Sequence, residues 1–329
     1  MMSTISRGTF KDQEAIVLEN DDARAVLLPA WGAKTISLVH KALGIETLWQ
    51  NPSSSFTCTA YGDSYGAGEF AGFDEMFPTL SRCFYEAPPW AGVEAPDHGE
   101  VWTIPWEAVI EGDSVTMSVC GTRFPYTLQK TVTLEGPKLV AHYTAANLSS
   151  APLDYIWAAH PLFNAAEGMR FIVPRGMKTI INAVPGPTLG GYGVRRDFPL
   201  AHTADGKEIR LDRVPGRNND GYQKYWFAHK VTEGWCVIHD PKSTLSIGLS
   251  FPSEKVPWLG MWLNEGGYAG QYNIAPEPAT AAMDRIDFAK MWGMGSVLAP
   301  KSSHEWHLAI TLGEGKEPQG MSPSGRFTY

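Results

Sequence analysis

Short runs rich in β-branched and aromatic residues, each cut off by Gly, Pro, Asn or Asp, recur along this chain: AIVLEND, ARAVLLP, VTMSVCGTRF, LQKTVTLEG, KLVAHYTAANL, GWCVIHDP and HLAITLG. Runs this short leave no room for long helices, and several alternate apolar with polar residues, the period of a half-buried strand. Leu128, Lys130, Val132 and Leu134 fall on one face of such a strand and Gln129, Thr131 and Thr133 on the other, with Lys130 interrupting the apolar set. Turn signals separate the runs, among them Glu-Gly-Asp at 111–113 and Glu-Gly-Pro at 135–137. With 33 glycines and 24 prolines the chain is built for many connections and few helices. The expected fold is mainly β, a large antiparallel β-sandwich with two sheets packed face to face.

A length of 329 residues would allow two domains, but large β folds often run as one unit and no linker is visible. The expectation is a single domain over 1–312 followed by a polar, Gly- and Pro-bearing tail at 313–329. The richest loop region is 183–223. A formal charge of −8 argues against nucleic acid or an anionic membrane as partner, since both demand a basic face. A neutral or weakly charged small molecule is the expected partner, bound by a monomer or homodimer. The N-terminal stretch MMSTISRGTFKDQEAIVLEN has no apolar h-region and no segment approaches a membrane span, so a cytoplasmic protein is expected. Cys58, Cys83, Cys120 and Cys236 are widely spaced and read as buried free thiols, as in a reducing compartment.

The chemistry-bearing residues stand in a few aromatic or proline-rich settings. In YNIAPEPAT (272–280), Glu277 lies between Pro276 and Pro278, each of which fixes its own φ and pushes its predecessor toward extended geometry. A carboxylate mounted so stiffly, at a strand end or sheet edge, suits a positioned general base; a solvated glutamate in a surface turn has the same sequence. His160, in YIWAAHPLFN, sits where Pro161 ends an extended segment among aromatics, as a general acid or as a core histidine satisfied by a carbonyl. His98, in PDHGEVWTIPW, precedes a glycine that permits an unusual turn and lies close to Trp102 and Trp106, whose flat faces suit sugar rings or a core. In GAGEFAGFDEMFPTLSRC, Asp74 and Glu75 stand among aromatics, a costly place unless they are paired, with Arg82 as the partner in reach, or used. Walker, GxGxxG, HExxH and GxSxG patterns are missing and the histidines lack metal-pair spacing, so no cofactor and no metal are expected.

Taken in order, HGE at 98–100, AHPLFN at 159–164 and APEPAT at 275–280 resemble the galactose mutarotase (aldose 1-epimerase) family over most of the chain. The resemblance implies a supersandwich of antiparallel sheets with a sugar cleft, and cofactor-free interconversion of the α and β anomers of a free aldose. Residue by residue it implies Glu277 as base, His160 as acid and His98 as the histidine that binds and polarises the sugar. The chain departs from the family pattern where many mutarotases read HGG, and an arginine expected near GFDEMFPTL is replaced in that neighbourhood by Asp74 and Glu75, with Arg82 later. The aspartate that grips sugar hydroxyls has no clear match; Asp220, in RNNDGYQKYW, is the candidate by order. These departures imply a divergent branch with a different sugar. Arg82, Arg195, Arg196 or Lys224 could meet a phosphate if they converged. A non-catalytic sugar-binding protein, and a hydrolase or lyase pairing Glu277 with Asp74 or Glu75, are the rival readings.

Overall fold

The computed structural model describes residues 3–218 and 220–329; Met1, Met2 and Asn219, the last inside the expected loop region, lie outside the described residues. Strands dominate, and the helical pieces are a turn at Tyr65–Ala67 and a short helix at Ile286–Met291. None of the helices among the described residues is long and apolar enough to cross a membrane. The chain forms two compact units. One runs up to His160 and takes in Thr280–His307; the other comprises Pro161–Ala279 and Leu308–Tyr329.

In the first unit Thr4–Phe10, Gln13–Glu19, Ala23–Leu28 and Lys34–His40 form an antiparallel meander, continued in the same sheet by Phe73–Met76. A second antiparallel meander joins Glu107–Glu111, Ser114–Cys120, Tyr126–Glu135 and Lys138–Asn147. The alternation expected at 128–134 is present: Leu128, Lys130, Val132 and Leu134 are buried and Gln129 is exposed. Lys130 belongs to the inward face because it spans to the facing sheet, where its Nζ meets Glu75 Oε1 at 3.0 Å and donates to the Ala33 carbonyl at 2.6 Å. Glu75 also accepts from the Tyr143 hydroxyl and from Trp157 Nε1, each at 2.9 Å. Burial and the Glu75 charge push the Tyr143 phenol well above its usual range, so it remains a donor. Asp74, one residue earlier and on the other side of the strand, pairs with Lys34. The cation for each carboxylate thus comes from a neighbouring strand or the facing sheet. Arg82 is exposed and pairs with Glu94 at 3.2 Å.

In the second unit Thr179–Asn182, Tyr222–Phe227, Trp258–Glu265 and Tyr272–Ala279 form one antiparallel sheet. Arg170–Ile172, Trp235–His239, Leu245–Ser250 and the later part of Ser303–Glu314 form another. Phe171 from the second sheet meets Phe227 from the first with ring centres 6.4 Å apart. The 183–223 region is more regular than its composition suggests. It holds short strands at Arg195–Asp197, Leu200–His202 and Glu208–Arg210, and buried Phe198 anchors it on Phe227 with ring centres 4.9 Å apart. The tail is likewise anchored: Gly320–Met321 pairs with Phe327–Thr328, and Met321 packs on Trp235 and Val237. Cys83 and Cys236 are buried as expected, whereas Cys58 and Cys120 are exposed.

Candidate functional site

Two groups of chemistry-bearing side chains stand out, one in each unit. In the first unit His98, His160 and Asp74 gather around Tyr65. The His98 imidazole stacks on the Tyr65 ring, centres 4.1 Å apart and planes 10° from parallel. The His160 ring meets Tyr65 edge-on at 5.1 Å and His98 edge-on at 5.4 Å. The Tyr65 hydroxyl donates to Asp74 Oδ2 at 2.8 Å, the oxygen that also pairs with Lys34. Tyr65 is therefore a buried post: its ring braces two imidazoles and its hydroxyl is tied to an ion pair.

The turn that presents His98 is sterically demanding. His98 has φ 59° and Gly99 has φ 79°, and a Cβ on Gly99 would lie 2.1 Å from the Phe77 carbonyl oxygen, so only glycine fits there. The non-glycine left-handed residue at 98 is a strained conformation held by its surroundings. His98 N–H donates to the Leu80 carbonyl at 2.6 Å, and Asp97 Oδ1 meets His98 Nδ1 at 3.0 Å. Burial alone would push the Asp97 carboxyl up, but the hydrogen bond and charge of His98 and the Tyr65 backbone amide outweigh it and hold the group below the usual carboxylate range. A depressed native value contributes stability that is present above the unfolded value of about 4 and is lost as pH falls through the native value. We expect Asp97→Asn to lower stability by about 1–2 kcal/mol at pH 7 and by much less near pH 2. Urea unfolding at the two pH values checks this; an equal deficit at both would remove the electrostatic account.

Glu100, the residue that departs from the HGG pattern, is not exposed at all. It accepts from the Tyr61 hydroxyl at 2.6 Å, the Tyr126 hydroxyl at 2.9 Å, and the backbone amides of Arg123 at 2.7 Å and Thr122 at 3.3 Å. Burial, together with the Glu100 charge, raises both phenols above their ordinary range and keeps them donors. The departure is thus a fully bonded buried carboxylate that clamps the Thr122–Arg123 turn to the His98 loop.

In the second unit Glu277 stands on Tyr272–Ala279, two residues before its end, with Pro276 and Pro278 on the opposite face of the strand. Its strand neighbour in register is Gly260, whose own neighbour on the other side is Trp226. Glu277 Oε2 pairs with Lys224, whose ammonium also lies 5.2 Å from the centre of the Trp226 ring. Gly260 leaves room for that indole: a Cβ there would lie 3.0 Å from the Trp226 ring, and Trp226 is fully buried and cannot retreat. We expect Gly260→Ala to cost about 1–3 kcal/mol through overpacking and to shift the Trp226 fluorescence; unchanged stability and emission would mean the indole yields freely. Further along the same face Trp262 lies against Tyr222 at 5.5 Å and Tyr268 at 5.9 Å, and its Nε1 donates to Asn273 at 3.1 Å. The opposite face carries Gln223, Tyr225, Met261, Leu263 and Glu265, which line a cavity of about 530 Å³. Side-chain alternation therefore puts that cavity behind the strand that bears Glu277, away from its carboxylate.

Asp220 is exposed, in the loop before Tyr222–Phe227. Glu75 faces the core of the first unit on Lys130. Arg195 and Arg196 are successive residues of one strand and point to opposite faces, and Lys224 is engaged by Glu277. Among the described residues no three His, Cys, Asp or Glu side chains are grouped as metal ligands would be. The residue that sequence reasoning undervalued is Lys224, weighed only as a phosphate contact. The signal was there: a lone cation within the aromatic run YQKYWF needs a partner.

No protein-family model matches the chain, and no curated protein matches it. Solved structures do. The Slr1438 protein from Synechocystis superposes with a TM-score of 0.67 at 18% identity, covering 94% of this chain and 99% of that one. A galactose mutarotase-like protein from Lactobacillus casei gives 0.64 at 20% identity, covering 91% and 100%. A candidate aldose 1-epimerase from Escherichia coli gives 0.65 at 14% identity, covering 95% and 100%. The likeness establishes the fold expected from the sequence, the galactose mutarotase-like antiparallel β-sandwich.

Proposed function

We propose that this chain is an aldose 1-epimerase, interconverting the α and β anomers of a free aldose by general acid–base ring opening. The observation that carries the reading is the mounting of Glu277: a carboxylate between two prolines, on a paired strand, with one oxygen held by a lysine. In this role Glu277 takes the proton from the C1 hydroxyl while His160 supplies one to the ring oxygen, so the hemiacetal opens. Rotation about C1–C2 and reversal of both transfers give the other anomer. His98, oriented by Asp97 and stacked on Tyr65, binds and polarises the sugar. Proton transfers suffice for this reaction, and the residues present are of the types that perform them.

A second reading has an observation of its own. Glu277 has no exposed surface and is neutralised by Lys224, which suits a non-catalytic carbohydrate-binding protein on the same fold. The hydrolase reading, which pairs Glu277 with Asp74 or Glu75, loses support because both of those carboxylates are buried and neutralised by lysines, whereas a glycosidase needs a second carboxylate flanking the bond. The discriminating experiment is NMR exchange between anomers over a panel of free aldoses. Acceleration of at least one sugar supports the epimerase; sugar signals that shift or broaden without faster exchange favour the binding protein.

A further inference from the structure

The assignment of Glu277 as base leaves Lys224 to be explained. A counter-charge alone does not account for where it sits. Of the two partners, Glu277 is wholly buried, and the side chain that retains contact with solvent is Lys224, at 7%. A sugar hydroxyl that reaches the carboxylate therefore meets the ammonium as well. Trp226 fixes the ammonium from the same face of the same strand, and Gly260 fixes Trp226, so the position is built rather than incidental. An ammonium has three donors and no acceptor, and can hold a carboxylate and a sugar oxygen at once.

We propose that Lys224 is a further catalytic residue, whose ammonium donates a hydrogen bond to the anomeric oxygen O1 and stabilises the negative charge that develops there. The proposal rests on the epimerase reading. In ring opening the O1–H bond breaks and its proton passes to the Glu277 carboxylate. The O1 electrons form the C1=O1 double bond as C1–O5 breaks, and O5 takes a proton from the acid. In closure the O5 hydroxyl adds to the other face of the carbonyl, its proton returns to the acid, and O1 recovers the proton from Glu277. Negative charge builds on O1 in both directions, and Lys224 keeps its protons throughout. A donor aimed at a developing oxyanion inside a water-poor site works in the transition state more than in the ground state, so its loss appears in kcat rather than in KM.

The test is steady-state anomer exchange by wild type and Lys224→Met on an aldose that the wild type accelerates, with urea unfolding alongside. The expected result is a kcat lower by about 10²–10³-fold with KM within a few-fold, and partial recovery of a Lys224→Ala variant by added ethylammonium. A purely charge-balancing lysine gives a different result: the buried Glu277 carboxyl, stripped of its cation, takes up a proton, so the loss in kcat is confined to lower pH and disappears once pH is high enough to ionise it. A Lys224→Met deficit that vanishes with rising pH overturns the proposal. Should the neutral variants fail to fold, Lys224→Arg retains the charge while displacing the donor. A kcat at least tenfold lower then supports the role, and an equal kcat overturns it. If the wild type accelerates no aldose, the epimerase reading falls and this proposal with it. If wild type and Lys224→Met are equally active, only Lys224 falls.

Discussion

Glu277→Gln is expected to reduce anomer exchange by about 10²–10⁴-fold while leaving the antiparallel sheet of Tyr272–Ala279 in place. The substitution keeps the shape of the side chain and removes its capacity to take a proton. It also leaves the Lys224 ammonium in a buried site without its counter-charge, and removing one member of a buried pair costs about 3–5 kcal/mol. Activity and stability must therefore be read separately. Circular dichroism and urea unfolding establish how much of the variant is folded, and NMR exchange is normalised to that fraction. The double variant Glu277→Gln with Lys224→Met removes the orphaned charge. It should recover stability without recovering exchange. Full exchange by folded Glu277→Gln would sink the assignment of the base.

Lys130→Met is expected to cost about 3–5 kcal/mol of stability. It strands the Glu75 carboxylate, which has no exposed surface, and removes a donor from the Ala33 carbonyl. Tyr143 and Trp157 still donate to Glu75, but two neutral hydrogen bonds do not replace a cation in a low-dielectric interior. Chemical denaturation measures the loss. Pairing Lys130→Met with Glu75→Gln should restore much of it, since no buried charge then remains. A single variant as stable as wild type would show that the charge is relieved by some other route.

Lys130 also marks where the sequence stops being readable. The strand at 128–134 follows from its alternation, and the lysine looks like an interruption of the apolar face. It belongs to that face because an anion waits across the sandwich, 55 positions earlier in the chain. Alternation is a local signal; the identity of a cross-sheet partner is not. The same limit applies at Asp74 and Glu75. That two carboxylates among aromatics need cations could be inferred, but Arg82, the nearest in sequence, pairs with Glu94 at the surface, and the actual partners are Lys34 and Lys130. Within the two candidate groups, one in each unit, the turn at His98 and the extended setting of Glu277 follow from neighbouring glycine and prolines, whose restrictions are local. The stack of His98 on Tyr65 and the grip of Lys224 on Glu277 are contacts between distant segments that composition does not encode. The regular strands inside 183–223 were hidden for a related reason: they are short, and Phe198, buried against Phe227, anchors them.

The lysine–carboxylate pairs buried in this chain, Lys34 with Asp74, Lys130 with Glu75 and Lys224 with Glu277, have a consequence well outside the interior. Each withdraws one cation and one anion from the 27 basic and 35 acidic residues and leaves the formal charge of −8 unchanged. Each pair is neutral as a unit, so the excess of acidic charge is carried entirely by the remaining residues, buried Glu100 as well as those that face solvent. A molecule approaching through the surrounding solution senses that excess over about 8–10 Å at physiological salt. A neutral sugar passes through it indifferent to ionic strength, while a sugar carrying phosphate or carboxylate is held back, and less so as salt rises. For the epimerase proposed above, discrimination between uncharged and anionic sugars would begin in the ionic atmosphere, before any side chain is touched.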